Sequence, residues 1–120
     1  MKIVMVGAGY VGLVTGACFS EFGVDVTCID SDESKIERLR RGEIPIFEPG
    51  LEDLVRSNVE AGRLNFGSDI VPAVAGADAV FIAVGTPARR GDGHADLSYV
   101  YEAARGIAKA LDGYTVVVTK

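Results

Sequence analysis

Residues 2–12 read KIVMVGAGYVG, and this stretch combines the two features that decide the fold. Residues 2–6 are a short, mostly β-branched apolar run, which predicts a strand buried on both faces. Gly7, Gly9 and Gly12 follow in the spacing G-x-G-x-x-G, where a helical period begins. In such a turn the first glycine permits a tight bend, the second lets a pyrophosphate approach the backbone, and the third lets helix and strand pack closely. The stretch therefore predicts a strand–turn–helix unit whose helix N-terminus can hold an anion.

Apolar runs and helical periods alternate along the rest of the chain. Further strands are predicted over residues 24–29, 64–66, 79–84 and 114–119. Helical spacing predicts five helices, each with an apolar face. In chain order these faces consist of Val11, Val14, Cys18 and Phe22 in the first helix, Ile36 and Leu39 in the second, Leu51, Leu54, Val55 and Val59 in the third, Val71 and Val74 in the fourth, and residues from Leu97 to Leu111 in the fifth. Strands that alternate with helices indicate βαβ units. The fold class is therefore α/β, a Rossmann-type doubly wound, mostly parallel sheet with helices on both faces.

Composition excludes several classes of protein. Of the 120 residues 48% are apolar and the net charge is −5, which excludes an intrinsically disordered chain and argues against a nucleic-acid surface. No apolar run approaches the roughly 20 residues of a membrane span. Cys18 and Cys28 do not make a disulfide framework, so we expect a reduced, cytoplasmic protein. A full doubly wound dinucleotide fold has six strands. Five are predicted here, so we expect residues 1–120 to be an incomplete N-terminal domain of a longer protein.

An acidic residue follows the second predicted strand. Asp30 lies eighteen residues after Gly12, close to the spacing of about twenty expected for a carboxylate that binds the adenosine ribose. Such a carboxylate repels a 2′-phosphate, which favours NAD over NADP. Lys35 lies nearby and could tolerate a phosphate. Alternatively, Asp30 only precedes and caps the next helix.

A second glycine turn follows the fourth predicted strand, at Gly85 and Thr86. In the strand order 3-2-1-4-5-6, strands 1 and 4 flank the crevice where the ligand lies. These two residues are therefore predicted to face the cofactor from the side opposite Gly9. An ordinary turn at a strand end is the alternative.

Together these segments resemble one family across essentially the whole chain. The segments that carry the resemblance are residues 7–13 (GAGYVGL), Asp30 with Lys35 and Ile36, residues 45–51 (PIFEPGL), residues 85–87 (GTP) and residues 92–99 (DGHADLSY). The chain resembles the UDP-glucose/GDP-mannose dehydrogenases, and the strings PIFEPGL and DGHADLSY are far more specific than the glycine turn. Another dehydrogenase acting on a hydroxy acid or hydroxyacyl substrate, a methyltransferase that uses S-adenosylmethionine, and a non-catalytic NAD-sensing module are the alternatives.

The resemblance implies an enzyme that oxidises the C6 alcohol of a nucleotide sugar, with UDP-glucose going to UDP-glucuronate. It implies two NAD+ per turnover, a cysteine-bound thiohemiacetal and thioester, a homo-oligomer, and a role in polysaccharide biosynthesis. It also implies that Tyr10 and Val11 contact the pyrophosphate region, Asp30 and Lys35 the adenosine side, and Thr86 the nicotinamide half. The catalytic cysteine, lysine and aspartate, like the substrate-binding domain, are expected beyond residue 120.

No catalytic residue is therefore expected within this chain. Cys18 and Cys28 are predicted to be small buried apolar residues. His94 is the single histidine, so no metal site is predicted. Residues 47–49 are expected near the active-site crevice, and the polar loop over residues 89–93 is predicted to be mobile and able to close over a ligand.

Overall fold

Five strands and five helices follow one another in the order that the sequence predicts. The computed structural model describes residues 1–120. The strands are β1 (Lys2–Val6), β2 (Asp25–Ile29), β3 (Leu64–Gly67), β4 (Ala79–Ile82) and β5 (Val116–Thr119). The helices are α1 (Tyr10–Glu21), α2 (Glu33–Arg40), α3 (Leu51–Glu60), α4 (Ile70–Val74) and α5 (Ser98–Ala110). Residues 43–50 form a loop between α2 and α3. No helix has the length and apolar character needed to cross a membrane.

The strands form one parallel sheet in the order β3-β2-β1-β4-β5. Val6, the last residue of β1, is level with Ile29 of β2 and Ile82 of β4. The carboxyl ends of these three strands therefore meet at one edge of the sheet. That edge, with β1 and β4 side by side at its centre, is where a doubly wound sheet binds its ligand.

Helices cover both faces of this sheet. Ile3 and Met5 of β1 belong to a core cluster with buried side chains of α1, α2 and α3. Val4 and Val6 alternate with them and belong to a second cluster with buried side chains of α4 and α5. Successive side chains of a strand point to opposite faces, so β1 is buried on both sides. The predicted Rossmann-type α/β fold is confirmed.

The predicted apolar face of α1 is wrong for the most part, although Val14 packs against the core. Val11 is 42% exposed and Phe22, which follows the helix, is 85% exposed. The helix instead buries a face of mostly small residues, which are Gly12, Leu13, Gly16, Ala17 and Ser20. A Cβ on Gly16 would lie 2.9 Å from the Cys28 Sγ and 3.3 Å from the Met5 Cγ. At Gly16 the helix and the sheet approach so closely that a larger side chain does not fit between them.

The two cysteines differ because of this packing. Cys18 lies on the outer side of α1 and is exposed, so the prediction that it is buried is wrong. Cys28 is buried in β2 as predicted, and burial raises the pKa of its thiol to about 12. A thiol with such a pKa is protonated at neutral pH and is a poor nucleophile.

Candidate functional site

In the turn between β1 and α1, the glycines lie in close contact with neighbouring backbone atoms. Gly7 has φ +111°, and a Cβ there would lie 2.6 Å from the Ala83 carbonyl oxygen. A Cβ on Gly12 would lie 1.8 Å from the Gly7 carbonyl oxygen. These contacts confirm the tight bend predicted at Gly7 and the close helix packing predicted at Gly12.

Gly9 has a different environment from the other two glycines. Apart from Gly9 itself and its two chain neighbours, no heavy atom lies within 4 Å of the position that a Cβ on Gly9 would occupy. This residue is the N-cap of α1, which has no side-chain cap and no acidic residue in its first turn. The first N–H groups of a helix have no partner within the helix. Open space beside these donors suits a pyrophosphate group, which needs N–H groups and close approach to the backbone.

Asp30 is held at the edge of this turn by three contacts. Its Oδ2 accepts a hydrogen bond from the Ala8 backbone N–H at 3.0 Å and lies 3.2 Å from the Lys35 Nζ. Its Oδ1 accepts from the Asp32 backbone N–H at 2.9 Å. Burial raises the pKa of this carboxyl, but the two backbone hydrogen bonds and Lys35 together outweigh burial, so the pKa lies below its usual value. Asp30 is therefore ionised at neutral pH and both shapes the turn and offers an acceptor.

The stability that Asp30 contributes is expected to fall in acid. Because the folded state lowers its pKa, the ionised carboxylate stabilises the fold above the unfolded-state value of about 3.9. This contribution is lost as the pH falls through the lower folded-state value. The difference in unfolding free energy between the parent chain and Asp30→Asn should be constant from about pH 6 to 8 and shrink below about pH 4. Urea unfolding across this range measures it, and a difference that grew in acid would contradict the assignment.

A groove of about 830 Å³ runs along this edge of the sheet. Five of the predicted site residues line it, namely Gly7, Gly9, Asp30, Lys35 and Gly85. Its other wall was not predicted and comes from α4 and α5, through Ile70, Tyr99, Glu102, Ala103, Arg105, Gly106 and Lys109. An elongated ligand with an anionic centre and a flat apolar end fits this combination of a glycine turn, a fixed carboxylate and a partly apolar wall.

Comparison with known proteins identifies the chain as a member of a family. The sequence model described as "UDP-glucose/GDP-mannose dehydrogenase family, NAD binding domain" matches residues 1–120. The chain belongs to this family. The cofactor of this dehydrogenase domain is NAD, and the uncapped first turn of α1 and the ionised Asp30 beside it fit a dinucleotide.

Individual dehydrogenases of the family are similar to the chain throughout. The UDP-glucose 6-dehydrogenase of Rhizobium meliloti (strain 1021) is 70% identical over 120 residues, and UDP-glucose 6-dehydrogenase YwqF of Bacillus subtilis (strain 168) is 55% identical. Each match covers 100% of this chain, which spans 28% and 27% of the two relatives. Among solved structures, the GDP-mannose dehydrogenase of Pseudomonas aeruginosa has a TM-score of 0.93 at 38% identity, covering 99% of this chain and 28% of that one.

Membership of this dehydrogenase family excludes two of the three alternatives that the sequence left open. A methyltransferase and a hydroxy-acid or hydroxyacyl dehydrogenase are set aside, because the family match spans the whole chain. A diketoreductase structure has a TM-score of 0.68 at 17% identity, which indicates a shared fold alone.

The other predicted site residues of this dehydrogenase domain lie near the groove without lining it. Tyr10 and Val11 are exposed in the first turn of α1, and Thr86 is exposed after Gly85. The Tyr10 hydroxyl donates to the Glu48 Oε2 at 3.1 Å, and this hydrogen bond raises the pKa of the phenol. The contact connects loop 43–50 to the glycine turn. Contact of these side chains with the cofactor stays a prediction.

The loop predicted to be mobile has hydrogen bonds of its own. Ala88 and Ala95 form an antiparallel bridge, and the Arg89 N–H donates to the His94 carbonyl oxygen at 2.6 Å. His94 is exposed at this hairpin, and no group of three or more His, Cys, Asp and Glu side chains is placed to hold a metal ion. Closure of the hairpin over a ligand stays a prediction.

Proposed function

We propose that residues 1–120 bind NAD+ in the groove and form the N-terminal cofactor domain of an enzyme that oxidises UDP-glucose to UDP-glucuronate. The observation that carries the cofactor assignment is the ionised Asp30 carboxylate held beside the open turn at Gly9. The 70% identity to a UDP-glucose 6-dehydrogenase supports the choice of sugar.

In this proposal each residue has a defined task. The first-turn N–H groups of α1 neutralise the pyrophosphate, and Asp30 accepts hydrogen bonds from the ribose hydroxyls of the adenosine. Lys35 holds the Asp30 carboxylate in place. Gly85 and Thr86 face the nicotinamide half, while Tyr10 and Val11 border the pyrophosphate. The chemistry that NAD+ would supply in this groove is the acceptance of a hydride from the sugar carbon.

The reaction as a whole removes four electrons. One alcohol, one water and two NAD+ become a carboxylate, two NADH and three protons. We propose that the thiol nucleophile and its acid–base partners belong to residues beyond 120, because Cys28 is buried with a raised pKa and the exposed Cys18 lies on the outer side of α1. The isolated chain should therefore bind the cofactor without oxidising the substrate.

The cellular setting is proposed on similar grounds. Two free thiols and a net charge of −5 are compatible with a cytoplasmic protein that binds no nucleic acid. Exposed aromatic side chains at Phe22, Phe47 and Tyr114 leave apolar surface for contacts between subunits or domains, so we propose a homo-oligomer. UDP-glucuronate is an activated acidic sugar, which suits polysaccharide biosynthesis.

Calorimetric titration of the chain with NAD+ and NADP+ tests the cofactor site. We expect NAD+ to bind at least about tenfold more tightly than NADP+, because the Asp30 carboxylate repels a 2′-phosphate. Asp30→Asn should weaken NAD+ binding by about tenfold or more and narrow the difference between the two cofactors. Asp25→Asn is the control, since Asp25 is exposed at the opposite end of β2. Equal affinity for both cofactors in the parent chain would contradict the proposal.

The substrate is tested with the full-length enzyme. We expect NADH formation with UDP-glucose to exceed that with GDP-mannose, and two NADH per sugar. A preference for GDP-mannose would instead favour the activity named for the Pseudomonas aeruginosa structure.

A further inference from the structure

Gly106 lies in the interior of α5, where glycine is unfavourable. Glycine loses more conformational freedom on folding than alanine and weakens a helix interior. The same helix carries alanine at four positions, which are Ala103, Ala104, Ala108 and Ala110. Gly106 is therefore the one glycine of a helix that carries alanine on both sides of it.

The fold itself does not require glycine at this position. A Cβ on Gly106 would lie 3.3 Å from the Ile70 Cδ1 and 3.7 Å from the Ile70 Cγ2, and no backbone atom from outside α5 lies within 4 Å. The tighter of these contacts is with the free end of a flexible side chain, which can move by a few tenths of an ångström. Gly12 is the opposite case, since its Cβ would collide with a backbone oxygen.

The groove is the direction in which Ile70 can move. Ile70 packs against the core cluster beneath α4 and α5, so its inner side already has neighbours. Both Ile70 and Gly106 line the groove that also contains Asp30 and Gly9. A methyl group on Gly106 would therefore push the end of Ile70 into the space that a ligand uses.

The wall formed by Ile70, Ala103 and Gly106 suits a flat base. Ile70 and Ala103 have apolar side chains, and Gly106 has none. The backbone N–H groups in the interior of α5 are already paired within the helix, so they present no free donor to the groove. Carbon atoms pack best at about 3.5–4.0 Å, so a shift of a few tenths of an ångström in one wall weakens stacking on it.

We propose that Gly106 keeps the groove wide enough, beside Ile70, for the adenine ring of NAD+. This inference rests on the proposed NAD+ site and adds to it the residue that sets the width of the adenine slot. Glycine at this position makes α5 less stable and leaves space for the cofactor.

The proposal predicts that stability and affinity change in opposite directions. Gly106→Ala should raise the melting temperature or leave it unchanged, because alanine favours the helix. The same change should weaken NAD+ binding by about five- to tenfold. Ile70→Val removes the Cδ1 that the new methyl group meets, so the double variant Gly106→Ala/Ile70→Val should recover most of the affinity.

Ala108→Gly is the matched control on the same helix. Ala108 is exposed and does not line the groove. This change should lower the melting temperature by several degrees and leave the NAD+ affinity unchanged. Differential scanning fluorimetry and calorimetric titration of the four variants and the parent chain measure both quantities.

Three results would overturn the proposal. An unchanged NAD+ affinity in Gly106→Ala, with the parent chain binding normally, would overturn this inference alone. A loss of affinity that Ile70→Val fails to recover would show that the contact between these residues is not the cause. A parent chain that binds no NAD+ would overturn the proposed function, and this inference with it.

Discussion

Gly12→Ala is expected to cost about 3 kcal/mol or more of stability and to abolish NAD+ binding. The added Cβ would lie 1.8 Å from the Gly7 carbonyl oxygen, which belongs to the turn itself. Neither the new Cβ nor the Gly7 carbonyl oxygen can rotate away, because the backbone fixes the position of both. We therefore expect α1 to move off the sheet. Since the total stability of a domain is about 5–15 kcal/mol, this loss is a large fraction of it.

Gly9→Ala is the matched variant in the same turn. A Cβ on Gly9 meets no atom within 4 Å, so the unfolding free energy should change by less than about 0.5 kcal/mol. The methyl group projects into open space beside the uncapped helix N-terminus, so NAD+ affinity should still fall. Urea unfolding and calorimetric titration of both variants separate the two roles. Equal urea midpoints for Gly12→Ala and the parent chain would contradict the first prediction.

Asn58→Ala is expected to cost about 3 kcal/mol without changing NAD+ affinity. Asn58 is fully buried, and its Nδ2 donates to the Glu21 Oε2 at 2.8 Å and to the Leu54 carbonyl oxygen at 2.9 Å. Its Oδ1 accepts from the Arg63 Nη2 at 2.9 Å and Nε at 3.1 Å. Truncation removes a fully buried side chain and leaves the Arg63 Nη2 without this partner, while the Arg63 Nε keeps its hydrogen bond to the Ser20 carbonyl oxygen at 3.0 Å.

The position of this network explains why the cofactor should be unaffected. Glu21 ends α1, whose other end begins at the glycine turn, so the network lies at the edge of the sheet away from the groove. Ser57→Ala, an exposed neighbour on α3, is the control and should change stability by less than about 0.5 kcal/mol. A reduced NAD+ affinity in folded Asn58→Ala would indicate that the two edges are coupled.

Asn58 also illustrates where prediction from the sequence was wrong. Helical spacing placed Val59 on the buried face of α3, but Val59 is 36% exposed and Asn58 takes the buried position. The same error occurred in α1, where Val11 and Phe22 were predicted to be buried, whereas the buried face consists of Leu13 and four small residues. In both helices the sequence pattern shows which residues are apolar. Which residues are buried depends instead on how close the neighbouring helix or strand lies and on which hydrogen-bonding groups it presents.

The two walls of the groove also differ in how far the sequence predicts them. The turn at Gly7, Gly9 and Gly12 with Asp30 was predictable, because local sterics and a fixed spacing along one βαβ unit dictate these residues. The pairing of Ile70 with Gly106 was not predictable, because the two residues lie thirty-six positions apart in the sequence and belong to no local motif. They meet only because α4 and α5 pack on the same face of the sheet.

The sequence by itself therefore determined the fold class, the turn and the carboxylate beside it, all of which follow from short-range periodicity and backbone sterics. Only the tertiary structure decided which faces are buried, which polar side chains are paired inside and what completes the groove. These depend on distances between elements far apart in the chain, and the parallel order of the sheet sets those distances.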